Sequence, residues 1–120
     1  MSLFTSTQIV NDGTADRTFT WRGQVPDPKS VKSEYFEAAS TPQTTITAKY
    51  EASNSPTQRS VISTVGYIAD AAGVKQKVTI NTSVAHGKAL PLADVEKLLE
   101  LHVNALEISG VKTRFLQKQP

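Results

Sequence analysis

Residues 92–109, LADVEKLLELHVNALEIS, decide the fold class, because this stretch reads as a helix with no competing period. At about 3.6 residues per turn, Leu92, Val95, Leu98, Leu99, His102, Val103 and Leu106 share one face, and Leu101, Ala105 and Ile108 widen the apolar arc. A helix lying on one sheet needs a stripe of roughly 100°, and this arc is about twice as wide. It implies two surfaces, the chain's own sheet and a second copy of the chain. On that reading Val95, Leu98, Leu99, Leu101, His102, Ala105 and Leu106 form a dimer interface, while Glu96, Glu100 and Glu107 line a solvated strip. Pro91 suits the helix entrance, Asp94 its first turn, and Ser109-Gly110 its end.

Beyond the helix, Val111 to Leu116 forms a short second helix before a basic end. Ahead of it the period changes to two. In Val74 to Val84, Val74, Val78, Ile80 and Val84 share a side with Gln76 and Thr82, and Lys75, Lys77, Thr79, Asn81 and Ser83 take the other. Arg59 to Ile68 is rich in β-branched residues and forms a hairpin with Thr44 to Ala52, the turn cluster Ser53 to Thr57 lying between them. In that earlier strand Ile46, Ala48 and Tyr50 point one way, and Thr45, Thr47, Lys49 and Glu51 the other. Val31 to Ala38 makes a further strand, with Val31, Ser33, Tyr35 and Glu37 opposite Lys32, Glu34 and Phe36. Thr7 to Val10 and Thr18 to Trp21 flank Asn11-Asp12-Gly13, a strong hairpin signal. Gly23 to Pro28 reads as a loop, because two prolines and a glycine disfavour a ladder.

Strands followed by helices make an antiparallel α+β domain with its helices on one sheet face. The expected single domain spans residues 1–120, with the hairpin at about 7–21, the sheet at about 31–84 and the helices at about 92–116. The other sheet face carries Thr, Ser, Asn and Lys and is free to meet a polar partner. Cysteine is absent, so neither disulfides nor thiolate metal sites hold the fold. The opening residues lack the pattern of a signal peptide, and no apolar run approaches a membrane span, so we expect a soluble chain unprocessed for secretion. A net charge of +2 announces no nucleic-acid binder by itself, but its distribution is uneven: the long helix is acidic, whereas Lys75, Lys77 and the tail are basic.

The order and spacing of these elements resemble the coat proteins of the single-stranded RNA bacteriophages, the levivirus family. The resemblance covers nearly the whole chain. It rests on Phe4-Thr5 and Gln8, IVNDGTADRTF at 9–19, TTITAKYEASNSPTQRSVISTV at 44–65, KQKVTINTSV at 75–84, and the closing long and short helices. It implies a homodimer joined edge to edge, helices crossed onto the partner, and an icosahedral shell of T=3 symmetry that packages single-stranded RNA. In many relatives the bare sheet face also binds a stem-loop that represses replicase translation. The protein would then reside in the virion after synthesis in the bacterial cytoplasm, with no enzymatic activity, cofactor, metal, membrane or small-molecule substrate. The RNA-binding residues implied are Thr45, Thr47, Lys49, Thr64, Lys75, Lys77, Thr79 and Asn81, with Glu51 and Ile62 on the same face, and Arg59, a charge at the hairpin end, is counted with them. Two departures stand out: Lys77 and Thr79 replace a base-stacking tyrosine and its neighbouring asparagine, and the connection 69–73 is short.

Other readings are weaker. Most of Phe19, Trp21, Tyr35, Phe36, Tyr50, Tyr67 and Phe115 fall on core faces, which favours burial over base stacking. His102 lies on the apolar arc and His86 on a turn, so they do not converge as ligands or as an acid–base pair. Asn81-Thr82-Ser83 matches a glycosylation acceptor but falls inside a strand. The rival to a shell protein is a small α+β dimeric module that binds nucleic acid or peptide without assembling.

Overall fold

The computed structural model of the chain describes residues 7–27, 30–51 and 56–119. Six strands, β1 (Thr7–Asn11), β2 (Asp16–Asp27), β3 (Ser30–Phe36), β4 (Thr45–Glu51), β5 (Thr57–Ala69) and β6 (Lys75–Gly87), precede α1 (Leu92–Glu107) and α2 (Val111–Leu116). The strands form one sheet in sequence order, so β1 and β6 are its edges. The chain divides into two compact units, residues 1–85 and 86–120.

In the first unit, the β1–β2 hairpin closes on side-chain caps. Asp12 Oδ1 accepts the backbone N–H groups of Thr14 at 2.9 Å and Ala15 at 2.8 Å, and Asn11 Oδ1 accepts that of Gly13 at 2.7 Å. These donors hold the Asp12 carboxyl below its usual range. Gly13 sits at φ 97°, a conformation a side chain would strain.

The expectation of a loop over Gly23 to Pro28 is corrected. β2 continues to Asp27 and pairs with β3 from Gly23↔Glu34 to Asp27↔Ser30. Pro28 lies outside the described residues, and two features make Pro26 tolerable. β1 reaches only Thr20 along β2, so residues beyond it lie on an open edge where a missing N–H costs no ladder bond. The register also shifts between Trp21 and Gly23, a bulge that leaves Arg22 without a cross-strand partner.

The small core of this unit holds Phe19, Tyr35 and Ile46, with Val10 packed against them. Ser33, Glu37, Thr44 and Ala48 are buried on the same side of the sheet. Glu37 is not stranded there. Arg17 Nε and Nη2 donate to its two carboxylate oxygens at 2.8 and 2.6 Å, and Nη2 also reaches Thr44 Oγ1 at 3.1 Å. The Arg17 hydrogen bonds hold the Glu37 carboxyl below its usual range against the opposing effect of burial.

The expected burial of the aromatics is corrected in part. Phe19 and Tyr35 are buried, but Trp21 and Phe115 are exposed, and Phe36, Tyr50 and Tyr67 are half-buried.

In the second unit, α1 starts at Pro91 and ends at Ile108, and Gly110 at φ 80° leads into α2. Neither helix has a buried residue. Leu98 and Leu101 are each 68 % exposed. The apolar arc expected on α1 is therefore present, and its residues are exposed apart from the half-buried Val95.

Candidate nucleic-acid interface

Alternation along paired strands assigns each side chain to one of two sheet faces. Tyr35 pairs with Ile46 and Ser33 with Ala48, which defines the core face. The intervening pairs, Lys32↔Lys49, Glu34↔Thr47 and Phe36↔Thr45, lie on the opposite face. Across β4 and β5 that face continues through Lys49↔Val61, Thr47↔Ser63 and Thr45↔Val65, and Arg59 follows on the same side of β5. Ser63 Oγ donates to Asn81 Oδ1, which joins β6 to this face. By alternation Lys75, Lys77 and Thr79 lie on it with Asn81.

The turn between β5 and β6 is braced by Asp70. Its Oδ1 accepts the N–H groups of Ala72 at 2.9 Å and Val74 at 3.0 Å, and its Oδ2 accepts Gln76 Nε2 at 3.0 Å. The Asp70 N–H donates to Val74 O at 2.9 Å, which keeps β6 in step with β5 from the first pair. The Asp70 carboxyl is held below its usual range, chiefly by Gln76 and then by the Val74 N–H.

From β3 to β6 this face carries Lys32, Lys49, Arg59, Lys75 and Lys77, and among the described side chains its one acid is Glu34. Glu34 is already engaged by Arg22, whose Nη1 donates to Oε1 at 2.9 Å. Lys49, Lys75 and Lys77 are exposed, and Thr45 and Thr47 are half-buried between them. The result is a broad cationic floor with hydroxyl and amide donors, which suits phosphate contacts without dictating a base sequence.

On the core face, β5 and β6 leave Ile62, Ile68, Val78 and Ile80 exposed. The sheet is therefore sorted into an apolar side and a cationic side, and the free edge at β6 runs for 13 residues.

No protein-family model and no curated protein sequence matches the chain. Solved structures do. The virus-like particle of bacteriophage NT-214 aligns over 96% of both chains with a TM-score of 0.74 and 14% identity. That of Beihai levi-like virus 21 aligns over 96% of this chain and 95% of its own, with a TM-score of 0.72 and 15% identity. An unassembled bacteriophage coat protein dimer, described as an RNA-binding dimer, aligns over 95% and 94% with a TM-score of 0.51 and 14% identity. The chain has the fold of these phage particle proteins. Its six antiparallel strands followed by two C-terminal helices match the fold of these neighbours.

Within that fold, eight of the nine residues expected at an RNA face stand together: Thr45, Thr47, Lys49, Arg59, Lys75, Lys77, Thr79 and Asn81. Thr64 does not. It pairs with Ile46 on the core face, and Ile62 pairs with Ala48 on the same side. The physical reason is that Val61 to Val65 offers β-branched side chains to both faces, so periodicity alone does not fix the phase. Ser63 takes the place expected of Thr64. Lys32 and Arg22 join the face as well, Lys32 through its pairing with Lys49 and Arg22 through the bulge. The alternation of β3 already puts Lys32 opposite Tyr35, but the pairing partner is set by long-range register. Arg22 escapes any reading that ends its strand at Trp21. The residues expected at a dimer interface, Val95, Leu98, Leu99, Leu101, His102, Ala105 and Leu106, all lie on α1, where only Val95 is half-buried and the others are exposed.

Proposed function

We propose that this chain is the coat protein of a single-stranded RNA bacteriophage, a structural subunit without enzymatic activity. The observation that carries the reading is the sorting of one sheet into an apolar and a cationic side, on a fold aligned over 96% of its length with phage virus-like particles. Two copies pair through the free edge of β6, and the α1 arc of each copy is covered by the other, with Val95, Leu98, Leu99, Leu101, His102, Ala105 and Leu106 in the contact. An uncovered arc of leucines and a long unpaired edge are both liabilities for a lone chain and assets for a subunit. The whole chain then acts as one subunit. Dimers close into an icosahedral shell of T=3 symmetry in the virion, after synthesis in the bacterial cytoplasm. Thr45, Thr47, Lys49, Arg59, Lys75, Lys77, Thr79 and Asn81 contact the packaged RNA, mainly at its phosphates. A stem-loop is captured on the same face, read through a surface that has Lys77 where relatives carry a stacking tyrosine.

Expression of the chain alone tests the reading. Electron microscopy is expected to find closed particles, and nuclease treatment is expected to leave RNA protected inside them. A dimer that elutes free of RNA and forms no particles would favour a non-assembling binding module.

A further inference from the structure

On the lysine face, Arg22 is held in a fixed plane. Its Nη1 donates to Glu34 Oε1 at 2.9 Å and its Nη2 to Gln43 Oε1 at 2.8 Å. Its Cζ lies 4.4 Å from the centroid of the Phe36 ring. The ring covers one side of the guanidinium, yet 46% of the Arg22 side chain remains exposed. What stays accessible is a flat, cationic surface already fixed in orientation, the geometry on which an unpaired nucleobase stacks.

A second oddity lies next to it. Lys32 and Lys49 are directly opposite each other across β3 and β4. Cβ atoms of such pairs stand about 5 Å apart, and like charges placed so repel. Among the described residues neither ammonium has a carboxylate partner. Lys32 is two residues from Glu34 on the same strand, which sets the lysine pair about 7 Å along β3 from the residue that anchors Arg22. That is close to the reach from a nucleobase to its own phosphate.

We propose that Arg22 stacked on Phe36 is a platform for a nucleobase and that the Lys32–Lys49 pair seats its phosphate, together forming a one-nucleotide subsite for single-stranded RNA. The proposal rests on the RNA-packaging reading and names a site within it. Glu34 and Gln43 are positioning residues that hold the guanidinium plane. Stacking on a flat cation accepts any base, so the subsite adds affinity without strong sequence preference.

The test compares binding of the full chain to a labelled single-stranded oligoadenylate and to inorganic polyphosphate, a polyanion with no bases. R22K keeps the charge and removes the plane. It is expected to weaken oligoadenylate binding about fivefold or more while changing polyphosphate binding by no more than about twofold. F36L, which removes the backing ring and leaves every charge in place, is expected to give the same pattern. The double variant K32A/K49A is expected to weaken both ligands. Equal losses for the two ligands in R22K, or none in either, would overturn the stacking platform while leaving RNA packaging in place. A wild-type chain that binds polyphosphate and RNA equally would overturn it as well, and a chain that binds neither would overturn the packaging reading with it.

Discussion

At the scale of single residues, Arg17 and Glu37 form a bidentate pair with 35% of the Arg17 side chain and 8% of the Glu37 side chain exposed. It ties the N-terminal hairpin to the end of β3. R17A leaves Glu37 buried without its partner and is expected to cost about 2 kcal/mol in chemical denaturation, below the usual cost of breaking a fully buried pair because Arg17 is partly solvated. The Glu37 carboxyl titrates below its ordinary 4.5 in the folded chain. Its contribution is therefore complete above that ordinary value and is lost as the pH falls through the lower folded one. Thermal melts of E37Q are expected to show a weaker acid dependence than wild type in that window. Asp12 and Asp70, also held low, retain the remainder. On the opposite face, K75A/K77A is expected to reduce RNA uptake and to lower the slope of log affinity against log salt by about 1.4, roughly 0.7 for each phosphate no longer neutralised. Dimers of that variant should remain intact in size-exclusion chromatography. The positions of these two lysines were legible in the sequence, because Val74, Val78 and Ile80 fix the phase of β6. Thr64 was not, since the run Val61 to Val65 puts β-branched residues on both faces and only the pairing with Ile46 assigns it.

At the scale of elements, α1 was readable almost to its ends, Leu92–Glu107 against an expected 92–109, because its period and its Pro91 entrance are local signals. The extension of β2 through Pro26 was not, since what permits it is the shortness of β1, a fact about a neighbouring strand. The same distinction separates α1 from its cover. A helix with no buried residue and leucines 68 % exposed carries a wide apolar surface, and helices draw most of their stability from packing such a face. L98D/L101D is expected to abolish dimers in sedimentation velocity and to lower the melting temperature of whatever remains folded. Dimers of unchanged stability would remove α1 from the interface.

At the scale of the whole molecule, Ile62, Ile68, Val78, Ile80 and the α1 leucines Leu98 and Leu101 are exposed in the single chain. Folding coupled to association should make the melting temperature of dissociated subunits rise with protein concentration, which calorimetry at several concentrations checks. A concentration-independent transition would mean that the chain folds alone. The two-sided sheet also constrains how the protein can vary. Deleting one residue within β6 would shift its phase, turning Lys75 and Lys77 to the apolar face and Val78 and Ile80 to the cationic one, and so undo the sorting of the sheet in a single step. Natural variants of this chain are therefore expected to gain and lose length at the tips near Gly13 and Gly73 and to change only by substitution inside the strands.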